Sequence, residues 1–468
     1  MPNPTKTELK LSPLNGASRS RKLLGIFQLE YIGPLILIFF IIFSVAATLL
    51  FPPEYVVVMV FALVGGMIII ARPTVGLILF IILNYIRPGD IVSALNAVPL
   101  AKLIGGGTFL AVVLNKLRTK DFVYRYKQTY LLTAFALILF ASVPFSFWPS
   151  RSLEISLDFL KILLFYFIFI NIVGDWKTLK AVSLISLCCV LVLSASTLQS
   201  YFQGNIRAAA IIGSGLFGDS NDVALVMVSV LPLVGFIKLS NIRKSLRAIY
   251  YWGSVILLIA GIIATQSRGG LLGLGVVLFM MFFHRGNKIK GLLLLGSLAV
   301  LVIALIPSNI EQRYRTIGNY QEDTSAVNRL YAWQAGLDMI ISRPLRGVGV
   351  GSFETAFGTA YKPKGFNSNR WMAPHNSLVQ IGAETGLFGL LLFIYLFIYS
   401  LSRLKKINQK RDGELFFRIN ATGDILMASF IGFAICAFFL TQALNYYLYF
   451  LIAATVSLAR ISETADEL

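Results

Sequence analysis

The sequence predicts an all-α polytopic membrane protein of about 12–14 transmembrane helices with one large extracytoplasmic loop. Three observations carry that prediction. The 468 residues are 57% hydrophobic and 13% charged, with a mean hydropathy of +0.76, whereas soluble domains run about 45–50% apolar and about 25% charged. Apolar runs of the length a bilayer requires, about 20 residues, recur along the chain. Basic residues also alternate in density from one inter-span loop to the next, as the positive-inside rule demands.

Fourteen apolar runs are candidate spans: 34–51, 55–71, 74–86, 98–114, 129–147, 155–173, 178–198, 221–237, 248–264, 269–283, 289–307, 376–400, 421–441 and 443–459. Run 74–86 is short for a span and reads as re-entrant or as borrowing flanking residues. With the N-terminus inside, 27 of the 41 Lys and Arg fall in the inside loops and tails. Of the other 14, eight lie in one long loop, and every short loop on that side carries at most one. With Asp424, at the inner end of run 421–441, the inside segments hold 10 acidic residues against their 27 basic ones, so they account for +17 of the net +19. That excess is a topology signal and gives no support for nucleic-acid binding.

The order along the chain follows. Residues 1–33 form a cytoplasmic basic tail (Lys6, Lys10, Arg19, Arg21, Lys22), and the apolar run after it is too long for a signal peptide, so the first helix reads as uncleaved. Residues 34–307 form an N-terminal transmembrane bundle, 308–375 an extracytoplasmic catalytic loop, 376–459 the C-terminal transmembrane helices and 460–468 a cytoplasmic tail. Within the loop, Thr324 can cap a helix through Asn328, Leu330, Trp333, Leu337 and Ile341, whose apolar members recur at helical spacing, and Pro344 ends it. No internal repeat is visible by eye.

Three arginines fall on the side where few charges are expected: Arg207 in NIRAAAIIGSG, Arg268 in TQSRGG and Arg329 in NRLYAWQ. A guanidinium keeps its charge and offers a planar fork of donors matched to phosphate oxygens. The plainer alternative for each is snorkelling to lipid headgroups or pairing with a local carboxylate. His375, in MAPHNSLVQ, stands where the loop re-enters the membrane as a helix, which puts it in the first helical turn. The positive end of the helix dipole disfavours imidazolium there, and a neutral ring can take a proton from a sugar hydroxyl. The alternative is a histidine that caps or hydrogen-bonds at the interface. His284, beside Arg285, reads as an ordinary basic loop residue.

The run GVGVGSF (Gly347, Gly349, Gly351) lacks the βαβ context of a dinucleotide loop and reads as a compact loop under the substrate. Asp219, Asn221 and Asp222 read as helix capping, and Asp158 with Lys161 as a pair three residues apart. Glu384 falls within the re-entering helix, where it can face a polar cavity. Cys188, Cys189 and Cys436 all lie in apolar runs, without a CxxC or a Cys/His cluster, so neither a disulfide framework, a metal nor a cofactor is expected.

Taken in order, these motifs resemble the bacterial O-antigen ligase and polymerase superfamily of integral-membrane glycosyltransferases. The resemblance rests on Arg207 and the Gly-rich stretch to Asn221-Asp222, then SRGG at 267–270. It continues with NRLYAW, RPLRGVGVGSF and PHN (Pro374–Asn376) in the large loop, and with ETGLFGLLLF from Glu384 to Phe393. Roughly residues 200–400 are covered; the first 200 match only in being serial spans. The resemblance implies a GT-C-like membrane fold and metal-independent transfer of a glycan from undecaprenyl diphosphate to an acceptor hydroxyl, on the outer face of the bacterial cytoplasmic membrane. It maps diphosphate binding onto Arg207, Arg268 and Arg329, the catalytic base onto His375, and a substrate loop onto Gly347, Gly349, Gly351, Asn376 and Glu384. The implied partners are the lipid-linked glycan donor, an acceptor that is a glycan, lipid A core or protein, and membrane lipids. Saccharide ligase, polysaccharide polymerase and protein O-oligosaccharyltransferase share these motifs. A polytopic flippase or transporter is the rival from another class, but it would place ionisable groups near the bilayer midplane. Here they collect at the outer ends of the spans.

Overall fold

A computed structural model describes residues 63–86, 99–123, 125–205, 207–212, 218–283, 324–366, 370–407 and 413–466, with the isolated positions 88 and 296. The chain divides into two compact units, 1–71 and 72–468. Of the first unit, residues 63–71 are described and form helix α1 (Leu63–Ala71). The second unit runs α2 (Pro73–Tyr85), α3 (Leu100–Thr119), α4 (Lys127–Ser142), α5 (Pro149–Ile172), α6 (Trp176–Phe202), α7 (Ser220–Lys238), α8 (Lys244–Ala264) and α9 (Arg268–Phe283). It continues with α10 (Thr324–Ser342), α11 (Phe353–Thr359), α12 (Ser377–Ile407), α13 (Glu414–Ala437) and α14 (Tyr446–Asp466). Every regular element among the described residues is helical, and nine of these helices are long and apolar enough to cross a membrane. The protein is an all-α polytopic membrane protein.

Nine of the fourteen apolar runs are therefore span-length helices. Run 74–86 forms the 13-residue α2, shorter than the usual span, and run 269–283 falls on α9, of which 16 residues are described. Run 34–51, all of 289–307 but residue 296, residues 55–62 of run 55–71, the tail 1–33 and His284 lie outside the described residues.

The helix starts follow from local chemistry. Pro149 occupies the first turn of α5, where its missing N–H costs nothing. Asp175 accepts from the Thr178 amide at 2.9 Å to open α6, and Asp219 accepts from the Asn221 amide at 2.7 Å to open α7. Lys161 and Asp158 of α5 are ion-paired, as their spacing predicts. The core of the bundle is aromatic: Phe159 meets Phe135 and Tyr449 edge-on at 5.4 and 5.2 Å, and Phe169 meets Phe450 at 5.4 Å. Small residues let α9 lie close against its neighbours. A Cβ at Gly270 would stand 2.7 Å from Ala224 Cβ of α7, and one at Gly273 2.6 Å from Cys436 Sγ of α13.

Helix α10 packs along the first part of α12, but its buried face differs from its most hydrophobic one. Ala332, Ala335, Gly336 and Met339 are buried, with Val348, Phe353, Phe357 and Ala383 around them, whereas Leu337 is 54% and Ile341 76% exposed. Helix α12 breaks at Gly386, with φ 74° and ψ −172°, and there the Leu387 amide donates to the Pro344 carbonyl at 2.7 Å. Only glycine adopts that conformation readily, and a Cβ would lie 2.5 Å from the Pro344 oxygen. Gly386→Ala is thus expected to destabilise the fold by about 1–3 kcal/mol from backbone strain alone. Thermal unfolding of the detergent-solubilised protein checks it; an unchanged melting temperature would refute the strain.

Candidate active site

The polar residues of interest gather around the eight residues, 438–445, that separate α13 from α14. Thr441 Oγ1 accepts the His375 amide at 3.1 Å. The Ser377 hydroxyl donates to the Leu440 carbonyl at 2.8 Å and accepts the Gln442 amide at 3.0 Å. Gln380 Oε1 accepts the Ala443 amide at 3.3 Å. On a second side, Phe439 lies against Gly269, so the turn bearing Arg268 abuts the same segment. Gly270 seats that turn on α7, whose Asp222 carboxylate lies near Gln442. On a third side, Phe438 meets Trp333 edge-on at 5.8 Å, and Trp333 Nε1 donates to the Pro374 carbonyl at 3.0 Å. Arg329 stands one turn before Trp333 on α10, close enough that its charge acts on His375. Arg207 is brought in through its neighbour Ala208, whose amide donates to Ala264 at the end of α8 at 3.4 Å.

Arg268, Arg329 and His375 thus border one segment from three separate stretches of sequence, and the backbone beside Arg207 is tied to the end of α8, four residues before Arg268. Arg207 and Arg268 are exposed; Arg329 and His375 are half-buried. Burial and the nearby Arg329 guanidinium push the His375 ring below its ordinary 6.5, with Asp219 pulling the other way, so the imidazole is neutral at pH 7. Its backbone has φ +44°, and Gln266, in the turn just before Arg268, has φ +51°. Two of the three left-handed non-glycine residues among the described positions thus flank this site.

Two expectations change in detail. His375 does not lie in the first helical turn. Asn376 is the cap of α12, its Oδ1 accepting the Leu378 and Val379 amides at 2.9 and 3.0 Å, and His375 precedes it. A short acceptor side chain satisfies the free amides of the first turn, so Asn376 takes that position and leaves the histidine ring for other contacts. Gly347, Gly349, Gly351 and Glu384 lie at the far end of the first α12 segment, where Glu384 is eight residues or about 12 Å along the helix from Asn376. There the Val348 and Gly349 amides donate to the carbonyls of Ala383 and Glu384 at 2.8 and 3.0 Å. A Cβ at Gly347 would collide with the Glu384 backbone, and one at Gly349 with Ser146. The glycines let this loop dock on the helix break. Glu384 is 3% exposed, with the Gly351 and Phe353 amides near its carboxylate, so its side chain faces that loop.

Sequence reasoning missed Thr441, Gln442 and Ser377. The signal was present as Thr441, Gln442 and Asn445, three polar residues interrupting two adjacent apolar runs. Among the described residues no group of three or more His, Cys, Asp or Glu could hold a metal ion.

Comparison with known families addresses the region that holds most of this constellation. Residues 253–394 match the family model described as O-antigen ligase. This segment carries the O-antigen ligase pattern. The ligase region contains Arg268, Arg329, the glycine loop, His375, Asn376 and Glu384, while Arg207, Asp222 and the 438–445 break lie beyond it. Curated relatives point the same way. A Rickettsia conorii protein named "Putative polysaccharide ligase" is 28% identical over 191 residues, covering 37% of this chain and 44% of its own. Namesakes from Rickettsia felis and Rickettsia prowazekii are 26% and 30% identical over 204 and 151 residues, covering 40% and 30% of this chain and 48% and 36% of theirs. The chain thus spans less than half the length of the curated relatives it matches.

Proposed function

We propose that the protein transfers a glycan from undecaprenyl diphosphate to an acceptor hydroxyl in cell-surface polysaccharide synthesis. The site would lie at the outer face of the cytoplasmic membrane, with both ends of this chain on the inner side. One observation carries the proposal: Arg268 and Arg329 border the same segment as His375, whose ring is pushed toward the neutral form, with the backbone beside Arg207 tied to the end of α8, and most of these residues lie in the ligase region. The relatives named as polysaccharide ligases support the same substrate class.

In this reading the guanidiniums of Arg207 and Arg268, with Arg329 third, grip the donor's diphosphate oxygens. The acceptor oxygen attacks the anomeric carbon as His375 takes its proton. The bond from that carbon to the diphosphate oxygen breaks, and undecaprenyl diphosphate leaves with the electron pair. The developing charge falls on oxygens already faced by the arginines, which is where preorganised donors accelerate a reaction most. The leaving group thus requires no protonation, and orienting and deprotonating the acceptor is the remaining task.

Charge neutralisation by arginine also makes the proposed reaction independent of divalent ions. EDTA is expected to leave the transfer rate unchanged when the purified protein is supplied with a tagged undecaprenyl-diphosphate oligosaccharide. Complete loss, restored by added magnesium or manganese, would overturn the metal-free reading. Running the same assay with core saccharide, a second lipid-linked saccharide and a Ser/Thr peptide as acceptors identifies the acceptor class.

A further inference from the structure

The proposed base stands in a backbone conformation that a histidine seldom adopts, with φ +44°, and one side chain meets its peptide group there. Thr441 Oγ1 accepts the His375 amide at 3.1 Å. The segment that presents this hydroxyl is itself tied down. Ser377 bonds both Leu440 and Gln442, Gln380 holds the Ala443 amide, and Asn445 Nδ2 donates to Gln442 Oε1 at 2.7 Å. From the opposite side Trp333 grips the Pro374 carbonyl at 3.0 Å. The peptide before the ring is therefore clamped on both faces, by α10 and by the break between α13 and α14.

From this geometry we infer that Thr441 is a positioning residue, its hydroxyl fixing the left-handed turn that orients the His375 ring toward the acceptor. The inference rests on the base role proposed for His375. The bond from Thr441 goes to the His375 peptide, so its loss should disturb the proton-accepting step and leave donor binding alone. A misplacement of about 1 Å in a catalytic group costs on the order of 100-fold in rate.

The test compares Thr441→Val, Thr441→Ala, Thr441→Ser and His375→Ala in the full chain, with a tagged undecaprenyl-diphosphate oligosaccharide as donor. Val keeps the shape of Thr and removes the acceptor oxygen; Ala removes it without the branch, in case Val does not fold. Thr441→Val is expected to lower kcat by about 10- to 100-fold with the donor KM unchanged, and Thr441→Ser to restore most of the rate. Wild-type kcat in a folded Val or Ala variant overturns the inference. So does a loss that Ser fails to rescue, or one carried entirely by KM. His375→Ala separates the two levels: if it transfers normally, the base reading itself fails. If it is inactive while Thr441→Val is normal, only the positioning role falls.

Discussion

His375→Ala is expected to lower glycan transfer by about 10²- to 10⁴-fold, the range a positioned general base contributes. Membrane insertion and melting temperature should hold, because the structural bonds at this point use other groups. The Asn376 side chain caps α12, and the His375 amide, which any residue retains, bonds Thr441. The pH profile follows from the same surroundings. The neutral ring is the active form, and its protonation is displaced below 6.5 by burial and Arg329, against the opposing pull of Asp219. The midpoint of the acid limb should therefore lie below 6.5. Arg329→Gln removes one depressing charge, so the acid limb of kcat/KM should move up toward the ordinary value. An acid limb at or above 6.5 in the wild type, or near-normal transfer by His375→Ala, would contradict the assignment.

Arg207→Ala and Arg268→Ala are expected to cost about 10²- to 10³-fold in kcat/KM for the lipid-linked donor, the scale set by removing a donor group that faces developing charge. Lysine at either position should recover part of the loss, since it keeps the charge but cannot offer a planar, two-pronged contact. The ordering arginine, lysine, alanine at both sites is the signature of diphosphate binding. Both side chains are exposed, so the substitutions disturb little packing. Steady-state kinetics with varied donor at fixed acceptor reads the effect. Equal activity across the four variants would argue against a diphosphate at this place.

Most of the membrane architecture was legible because a span is written in one variable, uninterrupted apolar length, and nine helices obey it. The failure has a specific cause. On α10 the hydrophobic reading picks out Leu330, Leu337 and Ile341, which are exposed, while Ala332, Ala335 and Gly336 are buried. Close helix packing selects small side chains, and a hydrophobicity scale ranks them low.

Within the site, the arginines and His375 could be picked out because charge is scarce around them in the sequence. Their convergence could not, since it is made by the 438–445 break, whose residues are uncharged and sit between two apolar runs. The position of His375 was missed by one step for a local reason: Asn376 is the better cap. Glu384 stood out as a charge in an apolar helix, but the loop from Gly347 to Phe353 encloses it.

The central claim is cleavage of a lipid diphosphate with transfer of its glycan. It is tested most directly by reconstituting the protein in vesicles with a tagged undecaprenyl-diphosphate oligosaccharide and a hydroxyl acceptor, and following both products. Glycosylated acceptor and free undecaprenyl diphosphate should appear in equal amounts, and His375→Ala should abolish both. Donor that crosses the bilayer intact, with no undecaprenyl diphosphate released, would contradict the account and identify a transporter.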